Sequence, residues 1–146
     1  MILEYQKDNY FISTDAAKLD LKLIHDFLSN SYWAKNIPRD VLEKSIRHSL
    51  NYGVYLNVSQ IGYARVLTDY ATFAYLADVF IVEEHRKKGL SKWLMECILT
   101  HPEIQKIRTW MLKTTDAHGL YKKFGFNPPE NPNSIMEKRV VKSYPV

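Results

Sequence analysis

Leu19, Leu23 and Phe27, with Ile24 and Leu28 beside them, recur at four-residue spacings, the period of one helical face. This predicts a first helix over 19–28, preceded by a strand near Tyr10–Ser13. Pro38 suits the opening turn of a second helix, whose stripe of Val41, Leu42, Ser45, Ile46, Ser49 and Leu50 ends before Gly53. Three β-rich runs follow, Gly53–Val58, Ile61–Leu67 and Phe73–Val82, with a tight turn expected at Ser59-Gln60, so they read as an antiparallel meander. Next, Leu90, Trp93, Leu94, Cys97 and Ile98 repeat at helical spacing up to Pro102. Lys106–Lys113 reads as a strand, Ala117–Phe124 as a short helix closed by Gly125, and Ile135–Val141 as a last strand. The predicted order is βααβββαβαβ. A strand, helix, strand unit over 73–113 implies a right-handed crossover and one parallel pair in an otherwise antiparallel sheet. The fold class is therefore α/β, a mixed, mostly antiparallel sheet flanked by helices.

A length of 146 residues, with no repeat, linker or low-complexity tract, is expected to make a single domain over residues 1–146. With 46% hydrophobic residues the chain can bury a core, which excludes disorder as its main state. The richest apolar run, FAYLADVFIV, is interrupted by Asp78, so no membrane span is expected, and the N-terminus lacks the pattern of a signal peptide. A lone cysteine, Cys97, fits a reducing compartment, and the cytoplasm is the expected location. Charge is unevenly spread: residues 1–82 carry −1 and residues 83–146 carry +5. A basic C-terminal half points to an anionic partner or a solvated charged face.

The segment RKKGLS, Arg86 to Ser91, lies where an apolar strand ends and an amphipathic helix begins. The first amides of a helix have no intrahelical acceptor and sit at the positive end of its dipole. A glycine-containing basic loop there is suited to wrapping a phosphate, and Gly89 permits close backbone approach. The segment matches neither the P-loop pattern nor a dinucleotide fingerprint.

Arg86-Lys87-Lys88-Gly89-Leu90-Ser91 resembles the Arg/Gln-x-x-Gly-x-Gly/Ala signature of the GNAT superfamily of acetyl-CoA-dependent N-acetyltransferases, with Ser91 in place of the usual Gly or Ala. About 30 residues later, AHGLYKKFGF is similar to the Ala-x-x-x-Tyr-x-x-x-Gly-Phe helix of the same family. The resemblance implies acetyl-CoA as acyl donor. It implies that the backbones of Val79 and Ile81, with Phe80 between them, pair with the pantetheine arm like an added strand. It further implies that the amides of Lys87 to Ser91 hold the pyrophosphate, with Arg86, Leu90 and Phe124 completing the cofactor surface. Thr114 stands where the family often has an Asn contacting the cofactor.

Attack of a neutral amine on a thioester needs an acid for the departing thiolate. In its motif, Tyr121 suits that role, because a phenol of pKa about 10 stays protonated at neutral pH. Asp78, a carboxylate in an apolar strand, must be paired, solvated or functional, and is a candidate catalytic group for the amine. Asp69 either caps a turn or holds a cationic amine. His118, near a helix N-terminus, reads as a structural hydrogen-bonding residue, and Cys97 as a core thiol. Tyr32, Trp33, Tyr70 and Tyr75 are either an aromatic wall for the acceptor or core. No metal-ligand spacing occurs, so none is expected.

The expected reaction is transfer of an acetyl group from acetyl-CoA to a primary amine. A catalytically silent acyl-CoA sensor is the alternative. An RNA-recognition module, suggested by KKFGF, is disfavoured because Pro128 and Pro129 interrupt the strand it would need. Neither nucleic acid nor membrane is an expected partner; the amine's identity and the oligomeric state stay open at this level.

Overall fold

In the computed structural model, which describes residues 1–146, six strands form one sheet in sequence order. β1 (Glu4–Lys7) and β2 (Tyr10–Ser13) make an antiparallel hairpin, followed by helices α1 (Leu21–Ser29) and α2 (Arg39–Arg47). β3 (Leu50–Leu56), β4 (Ser59–Thr68) and β5 (Phe73–Ile81) form the expected meander. α3 (Leu90–Leu99) then crosses back so that β6 (Thr109–Leu112) lies parallel to β5, before the short α4 (His118–Lys122). The mixed, mostly antiparallel α/β sheet is the architecture read from the chain.

Local chemistry explains the element ends. Asp20 caps α1 by accepting from the Leu23 amide at 3.1 Å, and the Pro38 carbonyl accepts from Leu42 at 3.1 Å to open α2. Because side chains alternate across a strand, the sheet has two apolar faces. On one, Val54, Val66 and Leu76 pack with Leu94 and Ile98 of α3; on the other, Tyr63 and Phe80 pack with Ile24 and Leu28 of α1 and Leu42 and Ile46 of α2. A fully buried Leu or Ile such as Leu94 or Ile98 contributes roughly 1.5–3 kcal/mol. Gly62 is required where β4 and β5 approach, since a Cβ there would lie 2.9 Å from the Phe80 carbonyl oxygen.

Four expectations are corrected. The strand expected over Ile135–Val141 does not form: no backbone hydrogen bond is made from Met136 onward, and Glu137 instead pairs with Lys113. β1 was not anticipated, because Glu4-Tyr5-Gln6-Lys7 has little apolar character; its pairing with β2 supplies the stability that its composition does not. The β3–β4 turn falls at Asn57-Val58 rather than Ser59-Gln60, since Asn57 takes the left-handed conformation with φ 53°. Finally, the strand read over Lys106–Lys113 shrinks to Thr109–Leu112.

Candidate active site

β5 is paired with β6 only along Phe73–Leu76, and beyond Leu76 the two strands part. The edge of β5 from Ala77 to Phe80 is therefore not paired with β6, while at Ile81 the carbonyl already accepts from Arg86 Nε. Val82 donates to the Ile61 carbonyl at 2.8 Å, which makes Ile81/Gly62 a wide pair, so the peptide groups of Ile81, and by alternation those of Val79, point away from β4. The side chain of Phe80 faces the opposite layer, stacked on Phe27 at 3.9 Å between centroids.

A bulge shapes the same strand. Tyr63 pairs with Phe80 and Arg65 with Ala77, so Asp78 and Val79 together oppose Ala64, and Asp78 adopts φ 56°. Its carboxylate accepts from Arg65 Nε at 2.8 Å and from Trp33 Nε1 at 3.0 Å. The side chains of Arg65 and Asp78 are only 15% and 10% exposed. Each carboxylate oxygen has one donor, and an ionised carboxylate has capacity for more. Arg65 escaped the sequence reading, although a single charge inside the apolar run Ile61–Leu67 was a signal that something on a neighbouring strand must meet it.

Past the end of β5, the Lys87 and Gly89 backbones have φ 64° and 77°. The amides of Lys87 through Lys92 have no acceptor within the chain; Trp93 is the first to bond, to the Gly89 carbonyl at 3.1 Å. That leaves six consecutive N–H groups without partners around two left-handed residues, backbone chemistry of the kind that suits an anion. A Cβ on Gly89 would meet no protein atom within 4 Å, so the space above the loop is clear. Arg86 folds back to donate from Nε to the Ile81 carbonyl at 2.9 Å, tying the loop to the strand, while Leu90 is buried in the core.

Between the diverging strands lies a cavity of about 720 Å³ lined by Asp78 and Val79 of β5, Leu112 of β6, Thr114 and Tyr121. Tyr121 is 9% exposed, its ring edge-on to Phe126 at 6.1 Å. Its hydroxyl makes no hydrogen bond within the chain and, unlike those of Tyr52 and Tyr55, is not sealed from solvent. Burial, aided by the nearby Asp116 and Tyr32, pushes it up to about 12, so it is protonated throughout the neutral range. Thr114 lines the cavity but its Oγ1 already accepts from Ala117 at 3.0 Å to start α4; Phe124 is half-buried against the core.

The aromatic alternatives separate. Tyr32, Trp33 and Tyr75 line the cavity, whereas Tyr70 sits exposed in the β4–β5 hairpin. Asp69 closes that hairpin by accepting from the amides of Ala71 (2.9 Å), Thr72 (2.7 Å) and Phe73 (3.2 Å), and these bonds, with that from the Thr72 hydroxyl, hold its carboxyl well below the usual range. His118 is exposed, and burial raises the Cys97 thiol to about 11, consistent with an unreactive core position. Asp116 and the tail residues Arg139 and Tyr144 also line the cavity. They were missed because no local pattern marks them.

Comparison with known proteins supplies the class of protein that carries this opened strand, run of unpaired amides and buried tyrosine. The family model for the acetyltransferase (GNAT) domain matches residues 48–128. A Gibberella zeae protein provisionally named an acetyltransferase (FG08082) is 31% identical over 82% of this chain and 79% of its own. A Xanthomonas campestris structure provisionally assigned to the GNAT acetyltransferases (xcc2953) is 47% identical, superimposes with a TM-score of 0.89, and covers 92% of this chain and 96% of that one. A GNAT acetyltransferase from Elizabethkingia anophelis with acetyl-CoA bound shares the fold, with a TM-score of 0.65 and 16% identity over 85% of this chain and 80% of that one. The chain belongs to the GNAT acetyltransferase family, and it is an acetyltransferase.

Proposed function

We propose that the protein transfers an acetyl group from acetyl-CoA to a primary amine by direct attack in the cavity between β5 and β6. The observation that carries this reading is that the unpaired edge of β5 borders the cavity holding a tyrosine hydroxyl without a partner, and that the same strand runs on into a loop of six unpaired amides. The donor set fits acetyl-CoA: the peptide groups of Val79 and Ile81 suit the amides of the pantetheine arm, and the amides from Lys87 onward suit the pyrophosphate. Lys87 and Lys88 add positive charge, and Thr114 lines the cavity, whereas Phe124 packs against the core outside its lining. When bound, acetyl-CoA supplies the thioester to be attacked.

The chain's own residues then do two things. Asp78, held by Arg65 and Trp33, accepts an N–H of the incoming amine on a remaining lone pair and directs its nitrogen inward. As the N–C bond forms and the C–S bond breaks, the electron pair goes to sulfur, Tyr121 gives it a proton, and the nitrogen loses its surplus proton to solvent; solvent then restores the phenol. Complete proton transfer from a phenol at about 12 to a thiolate of conjugate-acid pKa about 8.5 is uphill by roughly 5 kcal/mol. Tyr121 therefore acts first as a hydrogen-bond donor to developing charge, and its proton moves only once the thiolate is expelled.

Titration calorimetry with acetyl-CoA, and thiol release with a panel of amines, test the reading. Gly89→Val is expected to fold and to lose acetyl-CoA binding, because a branched side chain strains the left-handed backbone of this exposed loop at φ 77° and fills the clear space above it. A folded variant with unchanged affinity refutes the cofactor site. Binding by the parent without transfer to any amine refutes the enzyme reading in favour of an acyl-CoA sensor.

A further inference from the structure

A second hollow, of about 590 Å³, opens on the α1 side and adjoins the catalytic cavity at Tyr32, Trp33 and Asp116, which line both. Its lining includes the carboxylates of Asp26 and Asp116 but no basic side chain. Its walls are aromatic: Tyr32 stands edge-on to Trp33 at 5.0 Å, and Trp33 leans on Phe27 at 6.5 Å. Charge pairing singles out one group. Asp26 is bonded to Lys22 at 2.7 Å and Asp78 to Arg65, while Lys113 and Arg139 are both drawn to Glu137. The Asp116 carboxylate makes no ion pair or hydrogen bond, and it stands where the two hollows meet, close enough for its charge to be felt at the Tyr121 hydroxyl.

Electron-rich ring faces beside an unpaired carboxylate, in a hollow whose other carboxylate, Asp26, already holds Lys22, suit a positively charged group. We propose that the acceptor is a primary amine carrying a second positive charge, its distal cation resting on Tyr32 and Trp33 beside Asp116 while its reacting nitrogen passes Asp78 toward Tyr121. This rests on the acetyl-transfer reading above and adds the substrate class: a di- or polycationic amine rather than a monoamine or an amino acid, whose carboxylate would meet Asp116.

The test compares thiol release with cadaverine, n-pentylamine and glycine, as kcat/KM per amino group. The parent is expected to favour cadaverine over n-pentylamine roughly tenfold, the combined effect of an exposed cation–π contact and an exposed ion pair. Asp116→Asn is expected to lower that ratio roughly threefold, the share of the ion pair, leaving the cation–π share, and Asp116→Glu to keep it. Taking the ratio cancels any effect of the lost charge on Tyr121 itself. Equal use of both amines, preference for glycine, or a ratio unchanged in Asp116→Asn overturns the proposal while leaving amine acetylation standing. Acetyl-CoA binding with no transfer to any amine overturns both.

Discussion

Tyr121→Phe separates packing from chemistry at the centre of the site. The ring is 9% exposed and packed against Phe126, and phenylalanine keeps it. The hydroxyl has no intramolecular partner, so its removal orphans nothing, and stability is expected to change by no more than about 0.5 kcal/mol. Tyr121→Ala, which also deletes the ring, is expected to cost roughly 3–5 kcal/mol. Affinity for acetyl-CoA is expected to be nearly unchanged in Tyr121→Phe, because the peptide edge and the loop amides supply the binding. Loss of the donor to the thiolate is expected to lower the rate ~10² to 10⁴-fold, or roughly 3 to 5 kcal/mol of transition-state stabilisation. Single-turnover transfer with enzyme in excess reads the chemical step directly. Since burial holds the phenol at about 12, the parent's kcat is expected to lose its tyrosine-dependent part only on approach to that pH. Single-turnover rates for the folded Phe variant equal to the parent's would refute the assignment, leaving Tyr121 as a packing residue.

Three further outcomes are expected. Asp78→Asn, which tolerates the left-handed backbone, keeps one acceptor oxygen but removes the negative charge facing Arg65, whose other side-chain partner is the neutral Ser49 hydroxyl at 3.2 Å, and is expected to cost roughly 3–5 kcal/mol by denaturant titration; recovery in Asp78→Asn with Arg65→Met shows that the unpaired charge is responsible, and a cost under about 1 kcal/mol would mean that solvent screens the pair. Tyr52→Phe removes a buried hydroxyl without a partner and is expected to stabilise by about 1 kcal/mol; because burial raises the Tyr52 phenol, its contribution is intact below about pH 10 and lost above it as the unfolded chain ionises, so the variant is also expected to lose less stability between neutral pH and pH about 11, and parallel pH profiles would disprove this. Neutralising Lys87 and Lys88 as glutamines is expected to weaken acetyl-CoA binding a few-fold and flatten its salt dependence, and a salt series superimposable on the parent's would show that the two lysines contribute no electrostatic attraction.

Much of the scaffold was legible because it is written in local order. The four-residue stripes of α1 and α3 and the β-rich runs of the meander each encode a buried face that any compact fold must cover. The free amides after Arg86 were legible because a strand end, a glycine and a helix start are adjacent in sequence, and the short helix carrying Tyr121 because its residues are contiguous.

What tertiary structure alone decided lies in pairings between distant segments. Asp78 meets Trp33 across 45 residues, and the Tyr32 hydroxyl meets the Thr115 amide across 83; no periodicity carries such information. The opening of β5 beyond Leu76 is set by where β6 stops, not by anything in the apolar strand itself. The tail shows the same limit from the other side. Ile135–Val141 has the composition of a strand but pairs with none, because strand composition states only that a segment fits a sheet, while a strand exists only where an unpaired edge lies within reach in register. Local sequence determines which faces must be buried and which amides are free; the packing of α1, α2 and the tail over the sheet determines which charges are left without a partner, and so what the cavity can recognise.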